Sequence, residues 1–126
     1  MKSKTITPSK IEKSLRDRAL GYPQTTEDFP WGERAIKVKG KIFLVMRGSK
    51  DEISFSVKLP YTRDIAVDLP FTEPTHYGLG KHGWVTATVS KADARMLDMF
   101  FGWLDESYRA VAPKKLVATL ESETTT

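Results

Sequence analysis

The chain contains no cysteine. That excludes a disulfide framework, a thiol nucleophile and a thiolate metal site. Histidine is scarce too. His76 and His82 are the only two, and with scattered carboxylates they do not make up the three or four convergent ligands of a metal centre. Neither a metal nor a cofactor is expected. The longest apolar run, Ile42 to Met46, is far short of the about 20 residues that span a bilayer, so no membrane partner is expected. Met1 to Thr7 carry no apolar stretch of the kind that directs secretion, and the expected location is cytoplasmic. Internal repeats and linker-like stretches are also lacking. The 126 residues therefore read as one domain, 1–126, with an ordered core at about 8–120, long enough for one apolar core and too short for two.

Catalytic patterns are missing as well. A serine nucleophile needs a strained elbow such as G-x-S-x-G, whereas Gly48-Ser49 sits in an ordinary polar turn. Asp105-Glu106 fall on the last turns of a helical stretch, where solvation accounts for them. No nucleophile, base and orienting group can be assembled from spacing, so a non-enzymatic protein is expected.

What is present is basic charge and clear periodicity. With 20 Lys and Arg against 16 Asp and Glu the formal charge is +4 and the pI about 9.3, which favours acidic partners. Thr7-Pro8 starts a helix, because the hydroxyl can cap free N–H groups and proline at the first helical position loses no hydrogen bond. Ile11, Leu15 and Ala19 follow at helical spacing until Gly21 and Pro23, giving a helix over 8–20. After a loop carrying Asp28-Phe29-Pro30-Trp31-Gly32, whose aromatic pair suits capping the core or lining a groove, the period changes to two. Ile36 and Val38 oppose Lys37 and Lys39, and Lys39-Gly40-Lys41 turns into the run Ile42 to Met46. A second polar turn, Arg47 to Asp51, leads to Ile53, Phe55, Val57 and Leu59 opposing Ser54, Ser56 and Lys58.

Pro60 ends that strand. Tyr61, Ile65 and Leu69 at i, i+4, i+8 allow a short helix, Phe71 to Tyr77 an irregular strand demoted by Pro74, and residues 84–89 a fifth strand. Ser90 and Asp93 resemble a capping box before a long, mostly buried helix bearing Met96, Phe100, Leu104, Tyr108 and Val111. Pro113 kinks or ends it, a short basic turn follows, and the tail from Glu121 is expected to fray. The expected fold class is α+β: a two-layer sandwich in the order α-β-β-β-α-β-β-α, with a five-stranded, mainly antiparallel sheet and the helices on one face.

Two features carry candidate chemistry. In Gly78-Leu79-Gly80-Lys81-His82-Gly83-Trp84, glycines permit positive φ and close backbone approach, so Gly78, Gly80, Lys81, His82 and Gly83 form a candidate anion-binding loop. The glycines also match G-x-G-x-x-G, but a dinucleotide site needs a helix N-terminus after the motif and a strand follows here; a hairpin-like connection is the plainer account. The second feature is electrostatic. From Glu33 to Lys50 one acid stands against Arg34, Lys37, Lys39, Lys41, Arg47 and Lys50. With helices on the apolar face, Lys37, Lys39, Lys41, Arg47, Lys58, Lys81, His82 and Trp84 make a candidate nucleic-acid surface, lysines neutralising phosphates and the indole stacking on a base. A lysine-lined face that merely keeps the sheet soluble fits the same residues, and a bulge at Gly83 would turn Trp84 inward.

Leu20-Gly21-Tyr22-Pro23, Asp28 to Trp31, Ile36-Lys37-Val38 with Lys41 and Phe43, Ser56-Val57-Lys58, Pro74, Lys81-His82-Gly83-Trp84-Val85 and Ser107-Tyr108 occur in the order found in MmcQ/YjbR-like proteins. The chain resembles that family over roughly residues 11 to 120. The resemblance implies an antiparallel fold in α-β-β-β-α-β-β-α order, similar to type III secretion chaperones, and a DNA-binding label in which hairpins act as paired wings. One departure bears on it. Many relatives place a histidine directly before the tryptophan, where this chain has Gly83, and His82, one place earlier, would point the other way on a strand. The expected function is a small binding protein for DNA or RNA. A protein-interaction module or homodimeric chaperone-like adaptor is the alternative, and a small-molecule or enzymatic role at the glycine-rich loop a third reading.

Overall fold

A computed structural model describes residues 5–76 and 79–124. Thr7 caps the first helix, α1 (Pro8–Leu20), its hydroxyl accepting the Lys10 N–H at 3.4 Å, and Ile11, Leu15 and Ala19 are buried as their spacing predicts. The chain continues through β1 (Thr25–Asp28), β2 (Arg34–Val38), β3 (Lys41–Gly48), β4 (Ile53–Lys58), the single-turn α2 (Arg63–Ala66), β5 (Thr72–Pro74), β6 (Trp84–Val89), α3 (Ala94–Val111) and α4 (Lys114–Thr124). Short 3-10 turns occupy Pro30–Gly32 and Leu79–His82. The six strands form one antiparallel sheet in the order β1-β2-β3-β4-β6-β5. α1 and α3 both pack on β3 and β4, where Phe55 meets Phe100 edge-on at 4.8 Å. The α+β class and the antiparallel sheet agree with the periodicity.

The sheet has one strand more than the expected five. β1 consists of Thr25, Thr26, Glu27 and Asp28, so hydrophobic alternation cannot reveal it. Polar links hold it instead. Glu27 accepts from Arg16 Nε at 2.7 Å and from the Arg34 guanidinium, which also reaches Glu12 at 3.1 Å. The Thr25 hydroxyl donates to the Leu20 and Tyr22 carbonyls.

Three helix expectations change. After Pro113 the chain forms α4 rather than a basic turn with a frayed tail, because Leu116, Val117 and Leu120 pack against the core. α3 is capped by Asp93, whose carboxylate accepts the Met96 N–H at 2.9 Å; Ser90 lies too early, since Ala92 is still tied to Ile6 in a β-bridge. In the α2 region Tyr61 and Ile65 point outward, 91% and 75% exposed, and Ala66 is the buried residue. The Glu106 carboxylate accepts the N–H groups of Tyr61 at 2.8 Å and Thr62 at 3.1 Å, which fixes the turn in that orientation. Of the predicted strand at 71–77, β5 covers Thr72–Pro74, and Tyr77 lies outside the described residues.

Two details set the geometry of one sheet end. β2 and β3 are joined by Lys39-Gly40, with φ of 52° and 82°, the paired positive values of a type I′ turn whose twist matches the strands. The β2–β3 register then slips, Ile36 opposing Leu44 and Lys37 opposing Ile42, so that Phe43 and Leu44 are both buried. Ser107, fully buried on α3, fills the place where β3 and β4 part: its Oγ donates to the Phe43 carbonyl at 2.6 Å and accepts the Lys58 N–H at 2.8 Å.

Candidate nucleic-acid interface

Alternation along β4 and β6 sends Phe55, Val57, Val85 and Ala87 toward the helices and Ser54, Ser56, Trp84, Thr86 and Thr88 to the opposite face. Cross-strand hydroxyl pairs, Ser54 with Thr88 at 2.7 Å and Ser56 with Thr86 at 2.8 Å, line the middle of that face. Beside them Ser56 opposes Val45, which opposes Ala35. The middle strands of the face are therefore small and uncharged, the row is bounded at the sheet edges by Asp28 opposite Ala35 and Glu73 opposite Thr86, and the cations lie toward its ends.

Register decides which cations meet. Lys58 opposes Trp84 and Val38 opposes Lys41, so the β2–β3 turn, the end of β4 and the start of β6 lie at one end of the sheet. That end gathers Lys39, Lys41, Lys58 and Trp84, and the 3-10 turn before β6 adds the exposed Lys81 and His82; Lys41, expected on the open face, shares the side of the buried Val38 that it opposes, because the register slip at Phe43 shifts the alternation, whereas Lys58 shares the side of Trp84. None of Lys39, Lys41, Lys58 and Lys81 forms an ion pair with a described residue. α3 runs toward the same end, so the exposed Lys114 and Lys115 begin α4 nearby. Periodicity alone reads these two as a short basic turn after Pro113 and gives no sign of the sheet end they lie near.

Two expected members stand apart. Lys37 Nζ is held by Asp28 at 3.0 Å, and this bond, with the Phe29 N–H, keeps the Asp28 carboxyl below its ordinary range. Arg47 lies toward the far end of the sheet and pairs with Glu33 at 3.3 Å. Both charges are largely compensated on the spot. Trp84 is half-buried, outside the apolar core, and in register with Lys58. Gly83 takes φ +92°, a conformation other residues rarely adopt, without turning the indole inward.

Gly78 lies outside the described residues. The N–H groups of Leu79, Gly80 and Gly83 donate to the carbonyls of His76, Thr75 and Gly80 at 3.3, 3.0 and 3.1 Å. The Gly80 carbonyl accepts Arg63 Nε at 2.8 Å, and a Cβ on Gly80 would come within 2.7 Å of Pro74 Cβ. These glycines serve a tight, closely packed connection, and the groups the loop offers an anion are the Lys81 and His82 side chains rather than those three N–H donors. β6 follows directly, so no helix N-terminus stands behind the motif. Phe29 is exposed, with the Arg34 guanidinium 5.0 Å from its ring centre. Among the described residues no three His, Asp or Glu side chains are grouped to hold a metal, and no helix is long and apolar enough to cross a membrane.

Several residues behind the family resemblance turn out to hold the fold. Tyr22 stacks on Tyr108 at 4.4 Å and donates its hydroxyl to Asp105 at 2.9 Å, and Tyr108 donates to the Pro23 carbonyl at 2.8 Å. Burial, and then the bond to Asp105, push the Tyr22 phenol well above its ordinary range, so it stays a donor.

No curated protein matches this chain. A solved crystal structure of a protein from Pseudomonas syringae, a structural genomics target, superposes with a TM-score of 0.59 at 14% identity, covering 79% of this chain and 97% of that one. At that identity the likeness speaks for the fold alone. The model of the YjbR family matches residues 20–110, which include β1 through β6 and nearly all of α3, and on that match the chain belongs to the YjbR family.

Proposed function

We propose that this protein is a small, non-enzymatic nucleic-acid-binding protein that grips the phosphate backbone of DNA or RNA at the Lys39, Lys41, Lys58 and Lys81 end of its sheet. One observation carries the reading. The β2–β3 turn, the end of β4 and the turn before β6 carry four lysines that form no ion pair with a described residue, at the same sheet end as a half-buried indole. Ammonium groups there exchange condensed counterions for phosphates, which supplies affinity without sequence preference. Trp84 offers a ring on which a base can stack. If all four lysines engage, log K falls with log salt at a slope of about −2.8 for a single strand and about −3.6 for a duplex.

The test is fluorescence anisotropy of a labelled oligonucleotide at low salt, read alongside the emission of a variant in which Trp84 is the only tryptophan. Binding at micromolar protein with quenching of Trp84 supports the reading. Absence of binding to both DNA and RNA overturns it. The uncharged middle of the face, Ala35 and Val45 beside Ser56 and Thr86, favours one second reading, a protein partner or a second copy laid against the sheet. A strictly monomeric sedimentation profile and no partner in a pull-down count against it.

A further inference from the structure

Ile42, Val45 and Trp84 are each partly exposed, yet none of them belongs to the apolar core or packs against it. Strand register explains why. Val45 opposes Ser56, Ile42 opposes Lys37 and Trp84 opposes Lys58, so all three lie on the sheet face turned away from α1 and α3. The slip that buries both Phe43 and Leu44 returns Ile42 to that face. Hydroxyls serve the rest of it, Ser54 with Thr88 and Ser56 with Thr86. Grouped about one cation rather than scattered, the three apolar side chains form a surface that a guest can cover.

Trp84 and Ile42 stand on β6 and β3, about 10 Å apart across two strand spacings, and Lys58 on β4 lies between them. Lys58 forms no ion pair with a described residue, whereas Lys37, beyond Ile42, is held by Asp28. The row thus runs aromatic, cation, aliphatic, and ends against an acid. Resting on the nucleic-acid reading above, we propose that the guest is a single-stranded segment of DNA or RNA rather than a duplex, with one base stacked on Trp84, the next laid on Ile42 and Val45, and the phosphate between them on Lys58. Unpaired bases have free faces, and both aromatic and aliphatic side chains accept them. A duplex keeps those faces in its own stack, and freeing them costs unstacking. Lysine contacts pull the other way, since a duplex carries the denser phosphate charge and releases more counterions per contact. A preference for the single strand therefore reports the apolar platform and not the lysines.

The test titrates the full chain at low salt into three labelled probes of equal length, followed by anisotropy: a mixed-sequence single strand, its duplex, and an abasic single strand with the same backbone. The base-bearing single strand is expected to bind about tenfold tighter than either of the others. Trp84→Ala weakens that strand about tenfold and Ile42→Thr about fourfold, while both leave the duplex and abasic affinities within about twofold of wild type, because the lysines are untouched. Ile42→Thr keeps a β-branched side chain in β3, so the comparison stands even where Trp84→Ala fails to fold. A duplex bound as tightly as the single strand or tighter, or an abasic strand bound as tightly as the base-bearing one, overturns this inference and leaves the phosphate reading standing. Failure of all three probes to bind overturns both.

Discussion

Removing one oxygen atom from Ser107 should cost this protein a substantial part of its stability. The Ser107 Oγ serves two backbone groups at once, donating to the Phe43 carbonyl and accepting the Lys58 N–H. Both lie where the strand register slips and no ladder partner replaces it. Ser107→Ala keeps the volume nearly constant and improves helix propensity, so any loss reports the two orphaned groups. Each buried polar group left without a partner costs about 1–3 kcal/mol. The Phe43 carbonyl is buried and the Lys58 N–H partly so, which puts the total at about 2–4 kcal/mol, against a whole stability of about 5–15 kcal/mol. For a chain of this size that is a drop in Tm of about 8–16 °C. Urea unfolding followed by circular dichroism measures it, with an unchanged m-value showing that two-state behaviour survives. Ser54→Ala, which breaks only a hydroxyl pair with Thr88 on the open face, is the control and should cost under about 1 kcal/mol. A Ser107→Ala loss no larger than that of Ser54→Ala would refute the role assigned to this serine.

Other expectations follow from single features. Gly40 sits at φ +82° with nothing within 4 Å of a built Cβ, so Gly40→Val is penalised by backbone conformation alone, at about 1–2 kcal/mol in urea unfolding; a neutral result would mean the β2–β3 turn is not type I′. Glu27 is held below its ordinary 4.5 first by the Arg16 hydrogen bond and then by Arg34, against desolvation. A lowered folded value means stability that is present above about 4.5 and lost as pH falls through the folded value. Glu27→Gln should therefore be less stable than wild type near neutral pH and should lose the part of the acid slope that Glu27 supplies, as urea midpoints across the acid range will show; parallel pH profiles for the two proteins would contradict the link.

The parts of the fold legible in the sequence are those in which one physical signal dominates. β4 alternates apolar and polar residues without a fault, and the buried face matches residue for residue. α1 has a capping threonine, a proline at its first position and an apolar stripe of correct spacing. β1 gave no such signal, because an edge strand built from Thr25 to Asp28 is held by hydrogen bonds and ion pairs rather than by buried carbon. Spacing places Tyr61 and Ile65 on the same side of a turn but does not say which way that side points; Glu106, far along the chain, decides it. The candidate site suffers from the same gap. Lys37 reads as a free cation until β1 appears and brings Asp28 to it. Lys58 and Trp84 come together only once the strand order places β4 beside β6. Alternation can assign a residue to a face, but neighbourhood on that face depends on register.

The central claim is that phosphate contacts belong to the lysines at one end of the sheet that form no ion pair with a described residue. Its most direct measurement is the salt dependence of oligonucleotide anisotropy for wild type, Lys37→Gln and the double variant Lys39→Glu with Lys41→Glu. The account predicts a wild-type slope near −2.8 on a single strand, a slope shallower by about 1.4 in the double variant, and little change for Lys37→Gln because Asp28 already neutralises it. A wild type that does not bind at micromolar concentration in low salt, or a double variant with the wild-type slope, would contradict it.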